Sequence, residues 1–179
     1  MPFQLLLFST DEAYLPALEA GAFAAIVVDL ESAEKHERQR GRDTQIAGDT
    51  HADLERVRAA TRGRIICRIN GPGADTTGEV EPAIQGGADE LLLPMIRTAA
   101  EVEKVLELVN GHCDFGILVE TEAAVAAAEQ LAELPLARVY VGLNDLSIDR
   151  GSPSIFEPLV DGTLDDLRAT FTCPFGSAG

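Results

Sequence analysis

Short apolar runs alternate with longer, mostly amphipathic segments along the chain, and this alternation predicts the architecture. The apolar runs are nearly continuous in hydrophobicity, which is typical of strands buried on both faces of a parallel sheet that helices cover. Seven strands are predicted in this way. They are residues 4–8, 25–30, 64–70, 90–95, 115–121, 138–143 and, with the weakest pattern, 169–175.

The segments between the predicted strands carry helix start and stop signals. Residues 50–53 and 98–101 each place a threonine three positions before an acid, as a capping box does, and a glycine follows each predicted helix. Residues 122–133 are rich in Ala and Glu and predict a strong helix, and residues 9–21 predict the first one. The polar stretch 34–49 predicts a loop after the second strand.

Strand–helix alternation without a linker predicts one α/β domain over residues 1–179. Two architectures satisfy the pattern, a (β/α)8 TIM-type barrel and an open doubly wound sheet. A complete barrel usually needs about 250 residues. At 179 residues, the barrel expectation is a (β/α)8 TIM-type barrel that lacks the eighth strand and the last helix in this chain, and the doubly wound sheet stays open at this point. Because an uncovered strand edge invites pairing with another chain, we expect a homo-oligomer.

Composition narrows the classes of partner. Lys and Arg total 14 against 30 Asp and Glu, a formal charge of -16, so nucleic acid and anionic membrane surfaces are poor partners. No apolar run approaches the length of a membrane span, and the first residues lack the basic region of a signal peptide. Three cysteines without C-x-x-C spacing fit a reducing cytoplasm. We expect a cytoplasmic protein with a small-molecule substrate.

Polar side chains follow several predicted strands at their carboxyl ends, where the active sites of parallel α/β folds form. Desolvating an isolated charge is costly, so these groups should meet one another, a metal or a substrate. None of the three histidines falls at a strand end, so a histidine base is not predicted. The strand-end residues are Asp29, Glu31, Arg68, Asn70, Glu120, Asn144 and Asp145.

Glu120 and Asp145 end consecutive predicted strands, which are usually neighbours in such folds. Two converging carboxylates repel unless a cation lies between them, and Mg2+ or Mn2+ is the natural occupant. Each residue also has an ordinary structural explanation: Glu120 favours a helix N-terminus, and Asp145 suits a turn or an N-cap. Residues 142–145 are predicted to form a turn, in which Gly142 lets the backbone pass close to the ion.

Arg68 lies in an otherwise apolar run and offers a planar fork for a carboxylate. That carboxylate belongs either to a substrate or, in an internal salt bridge, to Asp29 or Glu31. The two acids are two positions apart and face the same side of an extended strand. They serve either as acid–base groups or as partners that hold Arg68 in place.

Five collinear segments resemble the HpcH/HpaI aldolase and citrate lyase β-subunit family. The similar segments are VVDLES (27–32), RIICRIN (64–70), GADELLLPMIRTAAEV (87–102), ILVETEAAV (117–125) and VGLNDLSIDRG (141–151). The resemblance implies a modified (β/α)8 barrel that binds Mg2+, Mn2+ or a similar ion. It also implies cleavage or formation of C–C bonds next to a carbonyl, with small 2-oxo acids or acyl-CoA compounds as substrates.

By this resemblance Glu120 and Asp145 are the metal ligands, and Arg68 binds the substrate carboxylate or stabilises an enolate oxygen. Together with the strand-end analysis this gives two expected sets of site residues. The catalytic residues are Arg68, Asp29 and Glu31, and the substrate-binding residues are Arg68, Asn70, Gly142, Leu143 and Asn144.

Ser32 is a departure from both branches of the family. The aldolase branch carries a histidine base in a D-x-E-H pattern and the lyase branch shows D-L-E-D, whereas here the fourth position is Ser32. Members also continue beyond the P-F-G-x-A-G segment, which ends this sequence. The main hypothesis is a metal-dependent C–C lyase, and the alternative is a catalytically weakened member that acts as a binding or assembly subunit.

Overall fold

The computed structural model describes residues 3–32, 48–73 and 76–178. The predicted loop over residues 34–49 lies outside this part of the chain, apart from its last two residues.

Seven parallel strands of the described chain form one sheet, in which each strand pairs with the next along the sequence. The sheet curls into a half-barrel, consistent with a truncated TIM barrel, and the predicted fold class is confirmed. A doubly wound sheet would reverse its strand order at a switch point, which this order does not. The strands are β1 (Leu6–Phe8), β2 (Ala25–Asp29), β3 (Ile65–Arg68), β4 (Glu90–Leu93), β5 (Asp114–Val119), β6 (Arg138–Gly142) and β7 (Phe175–Ala178).

Helices connect the strands and cover the outer face of the sheet. Both predicted capping boxes are present, since Thr50 and Thr98 each accept the backbone N–H three positions on and receive the acid in return. The described helices are α1 (Leu15–Glu19), α2 (His51–Ala60), α3 (Thr76–Gln85), α4 (Ala99–Val109), α5 (Glu122–Ala126), α6 (Ala128–Ala132), α7 (Leu143–Arg150), α8 (Glu157–Val160) and α9 (Thr163–Thr170).

The seventh strand was predicted at the wrong place. Residues 169–170 end helix α9, and the strand begins only at Phe175. The Thr and Phe residues of this segment favour a strand locally. Helix α9 ends at Thr170, and Leu167 within it and Phe171 directly after it are both buried. Local propensity was here overridden by tertiary contacts.

The predicted turn over residues 142–145 is also wrong. Helix α7 begins at Leu143, directly after strand β6, so Asp145 lies in the first turn of a helix and is 7% exposed. A carboxylate is favoured there because the amino end of a helix carries partial positive charge. Helices α3, α7, α8 and α9 were not among the predicted helices, and residues 122–133 form two short helices rather than one.

Alternate residues of the strands face two separate apolar clusters. Ile65 and Cys67 pack into the large core between the sheet and the helices. Ile66 of the same strand packs on the concave face with Val27 and Leu118. This small inner cluster forms the middle layer of the half-barrel, and charged residues of the same strands lie on either side of it.

The three cysteines carry free thiols. Burial raises the pKa of Cys113 to about 11, and burial likewise raises the pKa of the Cys67 thiol. The thiolate is the nucleophilic form, so these two cysteines are poor nucleophiles. Among the described residues, no helix is both long enough and apolar enough to cross a membrane.

Candidate functional site

Arg68 is held by an acid from the neighbouring strand. Asp29 and Arg68 are register partners, so their side chains leave the sheet side by side. The Nε and Nη2 atoms of Arg68 donate to the two carboxylate oxygens of Asp29 at 2.8 and 2.7 Å. Glu31 lies 3.4 Å from the Nη1 atom. The internal salt bridge that the sequence left open is therefore present, and it involves both acids.

The positive charge of the Arg68 guanidinium is stabilised further by its surroundings. Burial alone lowers the pKa of Arg68, but the hydrogen bond with Asp29 and the charges of Asp29, Glu31 and Glu120 more than offset this, so its pKa lies above the ordinary value. The ring of Phe8 lies 5.1 Å from the guanidinium carbon, within cation–π range. Arg68 thus stays protonated and has a defined orientation.

Asp49 is a site residue that the sequence did not reveal. Its carboxylate accepts the Asp29 backbone N–H at 2.9 Å and the Thr10 hydroxyl at 3.0 Å. It therefore fixes the end of strand β2 to the segment after strand β1. The sequence did not reveal the contact of Phe8 with Arg68 either, because this contact depends on the pairing of strands β1, β2 and β3.

Glu120 is buried where strand β5 ends, and its carboxylate is held by backbone atoms. Its Oε2 atom accepts the Met95 N–H at 3.0 Å. Met95 has a φ of 56°, a left-handed conformation that non-glycine residues rarely adopt. On the other side, a Cβ atom at Gly142 would lie 2.3 Å from the Glu120 Oε1 atom. Only glycine leaves room for this carboxylate, which gives Gly142 a specific structural role.

Charged neighbours act on this carboxylate in addition to its burial. Burial raises the pKa of Glu120 to about 7, and the charges of Glu31 and, less strongly, Asp145 add to the effect. The guanidinium of Arg68 and the Met95 N–H lower the pKa without cancelling the increase. We call the described residues Asp29, Glu31, Arg68, Glu120 and Asp145 the carboxyl-end cluster.

The donor set of this cluster is compatible with a hard divalent ion. Glu120 and Asp145 follow the adjacent strands β5 and β6, and both carboxylates are buried. Mg2+ is commonly held by one or two carboxylates, with substrate oxygens and water as the other ligands. Within the described ranges, no group of three or more His, Cys, Asp or Glu side chains could hold a metal. The described residues thus offer Glu120 and Asp145 as the two candidate ligands.

Asn70 lies at the end of strand β3, beside these groups. Its Oδ1 atom accepts the Ser32 N–H at 2.9 Å, and its side-chain nitrogen donates to Glu79 at 2.5 Å. The sequence predicted Asn70 as a substrate-binding residue and did not reveal Glu79. A carboxylate nine positions along the chain, in the next helix, gives no local signal.

The last two predicted substrate-binding residues begin helix α7. The Leu143 side chain packs in the outer core, so only its backbone is available for the predicted contact. The backbone carbonyl of Asn144 accepts the Ser147 hydroxyl at 2.7 Å. The structure thus brings Arg68, Asp29, Glu31 and Glu120 together, and it places Leu143 in the core.

A second charged cluster lies at the opposite, amino end of the strands. The Glu90 carboxylate accepts Arg138 Nε at 2.9 Å and Arg64 Nη2 at 3.0 Å, and Arg64 also pairs with Asp114. The Nη1 atom of Arg138 donates to Gln4 at 3.1 Å. We call Arg64, Glu90, Asp114 and Arg138 the amino-end cluster. Its two cations and two anions balance.

Known proteins resemble this chain along most of its length. Residues 4–155 match the HpcH/HpaI aldolase/citrate lyase family. A (3S)-malyl-CoA thioesterase of Cereibacter sphaeroides (strain ATCC 17029 / ATH 2.4.9) is 29% identical over 154 residues, which are 84% of this chain and 52% of that protein. The same enzyme of strain ATCC 17025 / ATH 2.4.3 is 29% identical over 151 residues, 82% of this chain and 50% of that protein. The chain thus spans about half the length of the curated relatives it matches.

Solved structures share the fold. The citrate synthase SbnG superposes with a TM-score of 0.73 at 15% identity, over 98% of this chain and 76% of that one. An HpcH/HpaI aldolase/citrate lyase family protein from Burkholderia cenocepacia J2315 gives 0.71 at 15% identity, over 98% and 87%. RipC from Yersinia pestis gives 0.67 at 20% identity, over 97% and 74%. With the family match over residues 4–155, these findings show that the chain belongs to the HpcH/HpaI aldolase/citrate lyase family.

Proposed function

We propose that the chain binds Mg2+ or Mn2+ between Glu120 and Asp145 and uses it to cleave or form a C–C bond in a small 2-oxo acid or a related acyl-CoA. The observation that carries the proposal is that Glu120 and Asp145 are both buried after adjacent strands, with the pKa of Glu120 raised to about 7. Such shifts cluster at functional sites. The family comprises C–C lyases and aldolases and is typically metal-dependent.

When bound, the ion would act as a Lewis acid toward the carbonyl and carboxylate oxygens of the substrate. Arg68 would then place positive charge where an enolate oxygen develops negative charge. Asp29 accepts hydrogen bonds from only two of the five N–H groups of Arg68, so other N–H groups of Arg68 can reach a substrate oxygen. The bidentate contact with Asp29 presents the guanidinium in one orientation before the substrate arrives.

The two acids at the end of strand β2 are assigned different roles. Both oxygens of Asp29 accept hydrogen bonds from Arg68, and Oδ1 also accepts the Glu31 N–H at 3.2 Å, so Asp29 is the positioning group. Glu31 lies 3.4 Å from Arg68 and directly precedes Ser32, which stands where the family pattern carries a histidine. On this place in the pattern we assign to Glu31 the transfer of a proton to or from the substrate.

Two classes of substrate are proposed. Pyruvate-type 2-oxo acids follow from the family, and an acyl-CoA follows from the relatives named (3S)-malyl-CoA thioesterase. The alternative function, a binding or assembly subunit, is favoured by the serine at position 32, which removes the histidine or aspartate of the family pattern. Assembly as a homo-oligomer and a cytoplasmic location stay predictions.

The proposal is tested by titrating the metal-free protein with Mn2+ in a calorimeter. E120Q and D145N should each weaken Mn2+ binding at least tenfold, because each removes one of two anionic ligands. D165N is the control, since Asp165 is an exposed acid in helix α9. Equal affinity in all four proteins would disprove the metal site.

The same proteins then separate the two functions. Release of pyruvate from 4-hydroxy-2-oxo acids or cleavage of malyl-CoA by the Mn2+-loaded wild type, lost in E120Q, would support the lyase. Intact metal binding without turnover of either substrate class would favour the binding subunit.

A further inference from the structure

Asn70 is clamped by the carboxylate of Glu79, a residue in the first turn of helix α3. The Oε2 atom of Glu79 accepts the backbone N–H of Asn70 at 2.9 Å. The Oε1 atom accepts the side-chain amide of the same residue at 2.5 Å. Both oxygens of the Glu79 carboxylate thus accept hydrogen bonds from Asn70. Hydrogen bonds to an ionised acceptor are stronger than those between neutral groups.

This clamp determines how the Asn70 amide is oriented. An ionised carboxylate only accepts hydrogen bonds, so the nitrogen of the amide must face Glu79 and its oxygen must face the other way. That oxygen accepts the Ser32 N–H at 2.9 Å. Ser32 directly follows Glu31, whose carboxylate lies 3.4 Å from Arg68. Hydrogen bonds therefore connect helix α3 with the end of strand β2.

We propose that Glu79 is a positioning residue of the candidate site, which through Asn70 and Ser32 keeps Glu31 beside Arg68 for an anionic substrate. The inference rests on the proposed function, because it concerns the half of that site that receives the substrate carboxylate. Asn70 then acts as a link between helix and strand, with its amide oxygen and one amide hydrogen already used.

A glutamine cannot replace Glu79 in this role. Its side chain has one acceptor oxygen where two donors of Asn70 must be satisfied, and its NH2 group would face a donor. The Asn70 amide would turn or move away, and Ser32 would lose its acceptor. The proposed metal ligands Glu120 and Asp145 lie after strand β5 and in helix α7, so their affinity for Mn2+ should not change.

The test compares E79Q with E81Q, a neutralised exposed glutamate of the same helix. Mn2+ affinity should stay within twofold of wild type in both variants. Pyruvate binding to the Mn2+-loaded protein should weaken at least fivefold in E79Q only. General damage to helix α3 would instead lower both affinities. Equal pyruvate affinity in E79Q and wild type would overturn the inference.

Two further measurements keep the test decisive. In an N70A background, E79Q should change pyruvate affinity less than twofold, because N70A has already broken the link between Glu79 and Ser32. If the losses of pyruvate affinity in E79Q and N70A were additive in the double variant, the inference would be contradicted. Exchange of the Ser32 amide hydrogen should accelerate at least tenfold in E79Q and in N70A but not in E81Q.

The exchange measurement needs no ligand, so it separates this inference from the proposed function. If wild type binds Mn2+ but no pyruvate, the proposed substrate class fails, and the Ser32 amide alone decides whether the link exists. Unchanged Ser32 exchange in E79Q would overturn it. If E79Q does not fold, N70A tests the same link through both pyruvate affinity and exchange, and wild-type values of both would overturn it.

Discussion

The two ends of the half-barrel both bury charge, but they balance it differently. In the amino-end cluster two guanidinium groups meet two carboxylates, and Glu90 accepts a hydrogen bond from each arginine. In the carboxyl-end cluster Asp29 and Glu31 pair with Arg68, while Glu120 is buried with its pKa raised to about 7. The apolar layer around Val27, Ile66 and Leu118 separates the two clusters.

The difference indicates which end is built for a ligand. A buried ion pair satisfied inside the protein holds the structure together, whereas a buried carboxylate with a raised pKa, as at Glu120, is typical of functional sites. Parallel α/β barrels carry their chemistry at the carboxyl ends of the strands, and their amino ends serve stability. The raised pKa of Glu120 and the fold geometry thus indicate the same end.

The largest expected effect is at the amino end. E90Q should lower the free energy of unfolding by about 3 kcal/mol, because Arg138 and Arg64 would lose the anion between them. Urea denaturation measures this, with E133Q, an exposed glutamate, as the control. Mn2+ affinity should not change in E90Q. A loss below about 1 kcal/mol would mean that the amino-end cluster does not stabilise the fold.

At the carboxyl end, neutralising a carboxylate should raise the free energy of unfolding instead of lowering it. In EDTA at pH 8, E120Q should be more stable than wild type by about 2 kcal/mol, because it removes an anion whose pKa is raised to about 7. An acid with a raised pKa in the folded state binds its proton more tightly there than in the unfolded chain. The penalty is therefore complete above pH 7 and disappears as the pH falls toward the ordinary value of 4.5.

Urea denaturation of E120Q and wild type between pH 8 and pH 5 tests this directly. The advantage of E120Q should shrink across that range, while D165N should show no such trend. Saturating Mn2+ at pH 8 should reverse the order, since only wild type keeps both ligands. An E120Q variant that is less stable than wild type in EDTA at pH 8 would contradict the view that the ionised Glu120 destabilises the metal-free protein.

The smallest expected effect concerns the glycine beside Glu120. In G142A the new Cβ atom would lie 2.3 Å from Oε1, so the carboxylate must rotate. We expect a stability loss of about 1 to 2 kcal/mol and at least fivefold weaker Mn2+ binding. G48A is the matched control, because no atom of the described residues lies within 4 Å of a Cβ atom there. Unchanged Mn2+ affinity in G142A would show that the position of Glu120 is not critical.

Sequence patterns were informative where the determining contacts are local. The capping boxes at Thr50 and Thr98 depend on residues three positions apart, and both are present. Six strands follow from short apolar runs for the same reason. The seventh strand was misplaced and helix α7 was not predicted because burial against distant elements decided both, as at Phe171 and Leu143.

The sequence by itself determined the family, the parallel α/β sheet and the candidate acids at the strand ends, because hydrophobic spacing and short motifs encode them. Only the tertiary structure decided the partners of these acids. It joined Arg68 to Asp29, brought the Met95 N–H to Glu120 and linked Glu79 to Asn70. Burial and charge around a carboxylate depend on strands and helices that are far apart in the chain. That is why the raised pKa of Glu120 could not be inferred from sequence alone.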